Sequence, residues 1–123
     1  MTRFLIATGA VSAALSVVLG AFAAHGLKTR LPQEILAVFQ TGVQYQFYHS
    51  LGLILVGILT QLYKGSSLLP AAGLIMIAGI LLFSGSLYVI STTGIRSLGL
   101  ITPIGGMAFI VAWLMLAVGI WRH

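Results

Sequence analysis

Phe4-Leu5-Ile6-Ala7-Thr8-Gly9-Ala10-Val11-Ser12-Ala13-Ala14-Leu15-Ser16-Val17-Val18-Leu19-Gly20-Ala21-Phe22-Ala23-Ala24 carries no charged side chain from end to end. An α-helix needs about 20 such residues to cross the hydrocarbon core of a bilayer, and this run supplies them. Three further runs come after it, Val43 to Tyr63, Leu68 to Ser91 and Leu98 to Trp121, again without Asp, Glu, Lys or Arg. Membrane β-strands would show alternating polarity in segments of about 10 residues, and these runs are continuous. The sequence therefore predicts an all-α integral membrane protein, one transmembrane domain over residues 1–123. Short turns between the later runs make neighbours antiparallel, which gives a four-helix up-down bundle.

Composition points the same way. Hydrophobic residues make up 59% of the 123 residues and charged residues 6%, with a mean hydropathy of +1.13. A soluble domain carries about 25% charged residues, so this chain takes lipid as its solvent. The net charge of +5 would suggest nucleic acid only if the basic residues formed a patch. Arg3, Lys28, Arg30, Lys64, Arg96 and Arg122 instead stand singly at the ends of apolar runs. That is a snorkelling and topology pattern, with some attraction to anionic headgroups. Membrane lipids are expected as partners and nucleic acid is not. Cysteine is absent, which excludes disulfides, thiolate chemistry and Cys-based metal sites.

The first run also admits a signal-peptide reading, with Ala21-Phe22-Ala23 as a cleavage pattern, but it runs well beyond the 7–15 residues of a typical signal core. Its small residues have another use. Thr8, Ser12, Ser16, Gly20 and Ala24 recur every four residues, a ridge that lets helix backbones approach closely in lipid.

Residues 25–42 read as the one substantial extramembrane stretch. Lys28-Thr29-Arg30-Leu31-Pro32 is a loop, and Gln33 to Thr41 is either a short interfacial helix or the extended start of the second span. Glu34, the only side-chain carboxylate, is expected to pair with Lys28, Arg30 or Arg96. Orientation is a tie: Arg3, Lys64 and Arg122 fall on one side and Lys28, Arg30 and Arg96 on the other, which defeats the positive-inside rule.

Threading the runs through the bilayer gathers the polar residues into a cap on one side. With the second span starting near Val43, His49 lies one to two turns inside it. His25 then stands at the same level, beside Gln44, Tyr45, Gln46 and Tyr48, with Ser84 and Ser86 arriving from the third span. Tyr45 and His49 share one helical face, as do Gln44 and Tyr48. Polar groups at membrane depth usually face the bundle interior and partner one another. Either a structural hydrogen-bonded cluster or a ligand-binding site fits this pattern.

At these residues the sequence resembles a known family. Ala21-Phe22-Ala23-Ala24-His25-Gly26-Leu27, Phe39-Gln40-Thr41-Gly42-Val43-Gln44-Tyr45-Gln46-Phe47-Tyr48-His49, Leu82-Phe83-Ser84-Gly85-Ser86-Leu87-Tyr88 and Thr102-Pro103-Ile104-Gly105-Gly106 are similar to the motifs of the YgdD-type family of small inner-membrane proteins. That family is uncharacterised and is itself similar to a small eukaryotic transmembrane protein. The motif histidines map onto His25 and His49, and Ala23 stands where Gly is frequent. The resemblance implies the bacterial inner (cell) membrane, a multi-pass chain and four helices, and it transfers no activity.

Chemistry narrows the function classes. Two histidines and one acid fall short of a hydrolytic metal centre, which takes three or four ligands. Serine catalysis lacks a Gly-x-Ser-x-Gly context and a buried carboxylate. Two histidines on different helices are the minimum for an axial haem pair, but no attachment motif accompanies them. No catalytic residue, metal or cofactor is therefore expected. The leading expectation is a non-catalytic accessory or assembly component that contacts other membrane subunits or itself. The alternative is a small-solute or proton channel or transporter acting as an oligomer.

Overall fold

In the computed structural model, which describes all residues from Met1 to His123, the chain forms four helical rods and no strand. Rod α1 spans Thr2–Leu27, α2 spans Gln33–Leu62, α3 spans Leu68–Thr93 and α4 spans Arg96–Trp121. Rods α1, α3 and α4 are each long and apolar enough to cross a membrane. Rod α2 is the longest α-helix at 30 residues, but Gln44, Tyr45, Gln46, Tyr48 and His49 dilute its hydropathy. Rod α2 packs against both α1 and α3, and α3 packs against α4. The fold is an all-α membrane bundle.

The rods reverse direction at tight turns. Gly65 (φ 95°) and Gly94 (φ 76°) adopt left-handed backbone conformations, where a β-carbon would be strained. At the α2–α3 turn, His123 Nε2 donates to the Lys64 carbonyl at 3.0 Å and its ring meets Tyr63 at 5.2 Å. The start of α1 lies against Gly57 near the end of α2. Both chain termini are thus at the same end of the bundle.

Lipid gives no hydrophobic drive for helices to associate, so close packing must hold them. Glycine supplies it at the tightest crossings. A β-carbon at Gly9 would lie 2.7 Å from the Ser50 carbonyl oxygen, and one at Gly105 would run into the Phe83 backbone. Leu5, Leu53, Val56, Leu69, Met76, Ala112 and Leu116 fill the half of the bundle nearer the termini. Ala23, Leu27 and Phe39 form a smaller cluster in the other half, with Leu36 and Tyr88 packed on it. Of the small-residue ridge on α1, Ser16 is buried, Thr8, Ser12 and Gly20 are half-buried, and Ala24 is exposed.

Two sequence expectations need correction. The second span does not begin near Val43: α1 ends in a wide π turn, Ala23–Leu27, and α2 begins at Gln33 after Pro32, which is the extended-start reading of Gln33 to Thr41. The upper end of α2 is helical because Leu36, Phe39 and Val43 cover Ala23 and Leu27 on one face, while Gln33, Glu34 and Gln40 face outward. Glu34 makes no ion pair with Lys28, Arg30 or Arg96. It is exposed in the first turn of α2, where unpaired backbone N–H groups and the helix dipole stabilise a carboxylate without a cation.

Rod α3 is interrupted by a second π turn, Ile80–Ser84. An extra residue in a turn rotates the downstream part of a rod by about 100° relative to an unbroken helix. Before the turn Gly79 faces Phe109 of α4, and at its end Ser84 faces Gly42 of α2. The rod meets both α2 and α4 on either side of the turn.

Gly105→Ala should lower the stability of the bundle by about 2 kcal/mol through overpacking, measured by thermal melting in detergent. Gly85→Ala, whose β-carbon would meet nothing within 4 Å, should be neutral or stabilising by up to about 1 kcal/mol. Ser16→Leu, at a position only 2% exposed, should lower the melting temperature as Gly105→Ala does. Equal melting of all three would show that these crossings do not hold the fold.

Candidate functional site

Rod α2 carries the polar chemistry, and its pitch divides that chemistry among three directions. Toward α1 and α3 it presents Gln46, 6% exposed, and Ser50, fully buried. Gln46 Nε2 donates to the Ser12 carbonyl at 2.9 Å, and Ser12 Oγ is 3.3 Å away. Gln46 Oε1 accepts from the Tyr88 hydroxyl of α3. Ser50 Oγ meets Ser12 Oγ at 2.7 Å and also reaches the Gln46 carbonyl. One carboxamide thus ties three rods together. Alongside, Thr8, Ser12, Leu15, Gln46, Ile77 and Ile80 belong to a groove of about 420 Å³ between α1 and α3.

Toward α4 the same rod presents Tyr45 and His49. The indole N–H of Trp113 donates to His49 Nε2 at 3.0 Å, so Nε2 is an acceptor. The other ring nitrogen, Nδ1, is 2.8 Å from the Tyr45 carbonyl and must carry the proton to donate there. A single neutral tautomer satisfies both contacts. The imidazole is stacked on Phe109 at 3.5 Å with 9° between planes, and Tyr45 lies 4.7 Å from Phe83. These rings line a groove of about 590 Å³ between α2 and α4.

Ser84 and Ser86 act one at a time. Ser84 Oγ donates to the Gly42 carbonyl of α2 at 2.7 Å, and Ser86 pairs with Thr102 at the head of α4. Every buried side-chain nitrogen or oxygen has a hydrogen-bond partner. An unpaired polar group in hydrocarbon costs several kcal/mol, and this arrangement removes that cost inside the bundle.

The structure brings His49 and Tyr45 together, and Gln46 together with Ser12, Ser50 and Tyr88. It does not bring His25 to them. His25 is exposed on the π turn that ends α1. The contact of Gln46 with Ser12 sets His49 level with the middle of α1, about 20 Å deeper than His25 at 1.5 Å per residue. The cap expected at one membrane side is instead a seam at mid-depth, because α2 starts at Gln33 and buries His49 over four turns below its head. His25 and His49 therefore do not face one another. Gln44 and Tyr48 point outward from the bundle.

Ser12, Ser50, Phe109 and Trp113 are residues that sequence reasoning left out of the cluster. Trp113 carried a usable signal, since an indole N–H deep inside a span needs an acceptor. Ser50 carried none apart from its depth once α2 is lengthened. Tyr88→Phe or Gln46→Leu should each destabilise the bundle by about 1 kcal/mol, by leaving the other partner unpaired or losing the bond. The double variant should cost less than the sum of the two. A thermodynamic cycle in detergent with strictly additive losses would show that the contact carries no energy.

Known proteins are similar to this chain over most of its length. A family model described as "Protein of unknown function (DUF423)" matches residues 19–106. The chain is 51% identical over 116 residues to the UPF0382 membrane protein YwdK of Bacillus subtilis, covering 94% of each chain. It is 43% identical over 120 residues to UPF0382 membrane protein SSP2132 of Staphylococcus saprophyticus, covering 98% of each. A protein of Staphylococcus haemolyticus, SH2409, is 42% identical over 120 residues, which cover 98% of this chain and 97% of the relative. No solved structure matches. With nearly full-length relatives all named as membrane proteins, the chain belongs to the DUF423 family, UPF0382 membrane proteins of unknown function.

Proposed function

We propose that this chain is a non-catalytic, multi-pass protein of the bacterial inner membrane, the setting of the YgdD-type family it resembles, and that it acts through lateral contacts as an accessory or assembly component. All four rods cross the bilayer in this reading, with α2 shielded by α1 and α3 where it is most polar. One observation carries the proposal. The buried polar atoms are consumed by one another, and the larger intramembrane grooves lie between adjacent rods on the flanks of the bundle. Such a molecule offers surface to neighbours within the membrane rather than a reactive centre.

The competing reading is a path for a small solute or proton. The hydrogen bonds that link Tyr88, Gln46, Ser50 and Ser12 support it over about one turn of α2. Toward the termini, however, Leu5, Leu53, Val56 and Leu69 are fully buried, and a dry, close-packed plug stands against conduction. Catalysis has less support still. His49 has both ring nitrogens engaged, and the single carboxylate, Glu34, is exposed at the head of α2.

Purified protein in liposomes should pass protons and small solutes no faster than protein-free vesicles. Affinity purification of the tagged chain in mild detergent should recover a larger membrane complex of fixed stoichiometry. Flux above background that Gln46→Leu abolishes would replace this reading with the transport one.

A further inference from the structure

The buried polar residues of α2 are satisfied, whereas Tyr45 on the α4 side and Gln44 and Tyr48 on the outward face have unpaired side chains. Gln44 and Tyr48 are exposed, Tyr48 at 53%, and neither side chain hydrogen-bonds within the chain. Their depth makes this a physical problem. They border a groove of about 320 Å³ with Ser16, Val17, Gly20 and Val43, which places them beside the second half of α1. At 1.5 Å per residue, Gln44 is then about 10 Å inside the apolar run of α1 and Tyr48 is near its middle. A carboxamide facing acyl chains there would have no partner, at a cost of several kcal/mol.

We infer that this face of α1 and α2 is the seam of a parallel homodimer, in which Gln44 pairs with Gln44 of a second copy. Three features select a second copy over any other occupant. The glutamine side chain carries two N–H donors and a carbonyl acceptor, so a two-fold axis that brings it onto its own image matches donor to acceptor in both directions. Copies inserted in the same orientation hold Gln44 at identical depth. The knob and the hole also lie on one face. Phe47 and Tyr48 project from α2, while the groove floored by the small residues Ser16 and Gly20 runs beside them. A two-fold rotation places each copy's knob in the other's groove. Small residues at the crossing and an interhelical amide pair are the two devices that associate helices in lipid. The inference rests on the reading that all four rods cross the bilayer, and not on the accessory role.

The chain has no cysteine, so single cysteines report contacts without background. In native membranes, Gln44→Cys and Phe47→Cys should each oxidise to a disulfide-linked dimer of twice the chain mass. Leu114→Cys, 61% exposed on α4, should stay monomeric. Gln44→Leu should raise the dimer dissociation constant about tenfold in lipid, read by energy transfer between labelled copies, while helix content stays that of the parent. Gln44→Asn, with a shorter amide, should recover part of the loss. The inference falls if Leu114→Cys cross-links as readily as Gln44→Cys, or if Gln44→Cys joins only to a chain of different mass. It falls equally if Gln44→Leu leaves dimerisation unchanged.

Discussion

Inside a bilayer a carboxamide must find its partners within the protein, and Gln46 finds them on two different helices. Its N–H group is held by Ser12 of α1 and its carbonyl by Tyr88 of α3. Neither contact survives if α2 slides by a turn, about 5.4 Å, against either neighbour. The single side chain therefore sets the vertical register of three rods. Registers elsewhere depend on it: Gly9 comes opposite Ser50, and Gly42 opposite Tyr88 and Ser84. Individual interhelical hydrogen bonds in membranes contribute only about 0.6–2 kcal/mol. Their value here is directional, since apolar packing between smooth helices specifies depth poorly.

Most of the architecture was legible in the sequence because hydropathy reads the lipid boundary directly. Uncharged runs of spanning length gave four helices, and the ridge on α1 identified Ser16 as a contact. The sequence leaves the start of the second helix open between two readings, and the expected depth of the polar residues rests on a start near Val43. Gln33, Glu34 and Gln40 read as water-facing, and they are, but they share a helix with Leu36 and Phe39, which are covered by Ala23 and Leu27. A window average cannot separate one wet face from a wet segment. Shifting the helix start by ten residues moves His49 by about 15 Å. That shift removed His25 from the cluster and turned an interfacial cap into a buried seam.

The same pitch explains why residues adjacent in sequence have unlike roles. Gln44, Tyr45, Gln46, Tyr48 and His49 fall within two turns, yet only Gln46 and His49 are buried among them. Sequence spacing showed that Tyr45 and His49 share a face. It could not show which face met protein, because three rods of similar hydropathy compete to cover it. Burial and hydrogen bonding separate these residues: Gln46 and His49 use up their donors and acceptors, while Gln44, Tyr45 and Tyr48 retain theirs.

The π turn at Ile80–Ser84 makes α3 a rod of two phases. Its first phase meets α4 through Gly79 and α2 through Met76, and its second meets α2 through Ser84 and Tyr88 and α4 through Ser86. Loss of one codon within this turn would let the rod relax into uninterrupted α-helix, keeping its length almost unchanged. Its second phase would nevertheless swing about a quarter of a revolution, carrying the Tyr88 hydroxyl away from Gln46. Insertions and deletions should consequently be excluded from this stretch among relatives, although side-chain exchange on its lipid face is free.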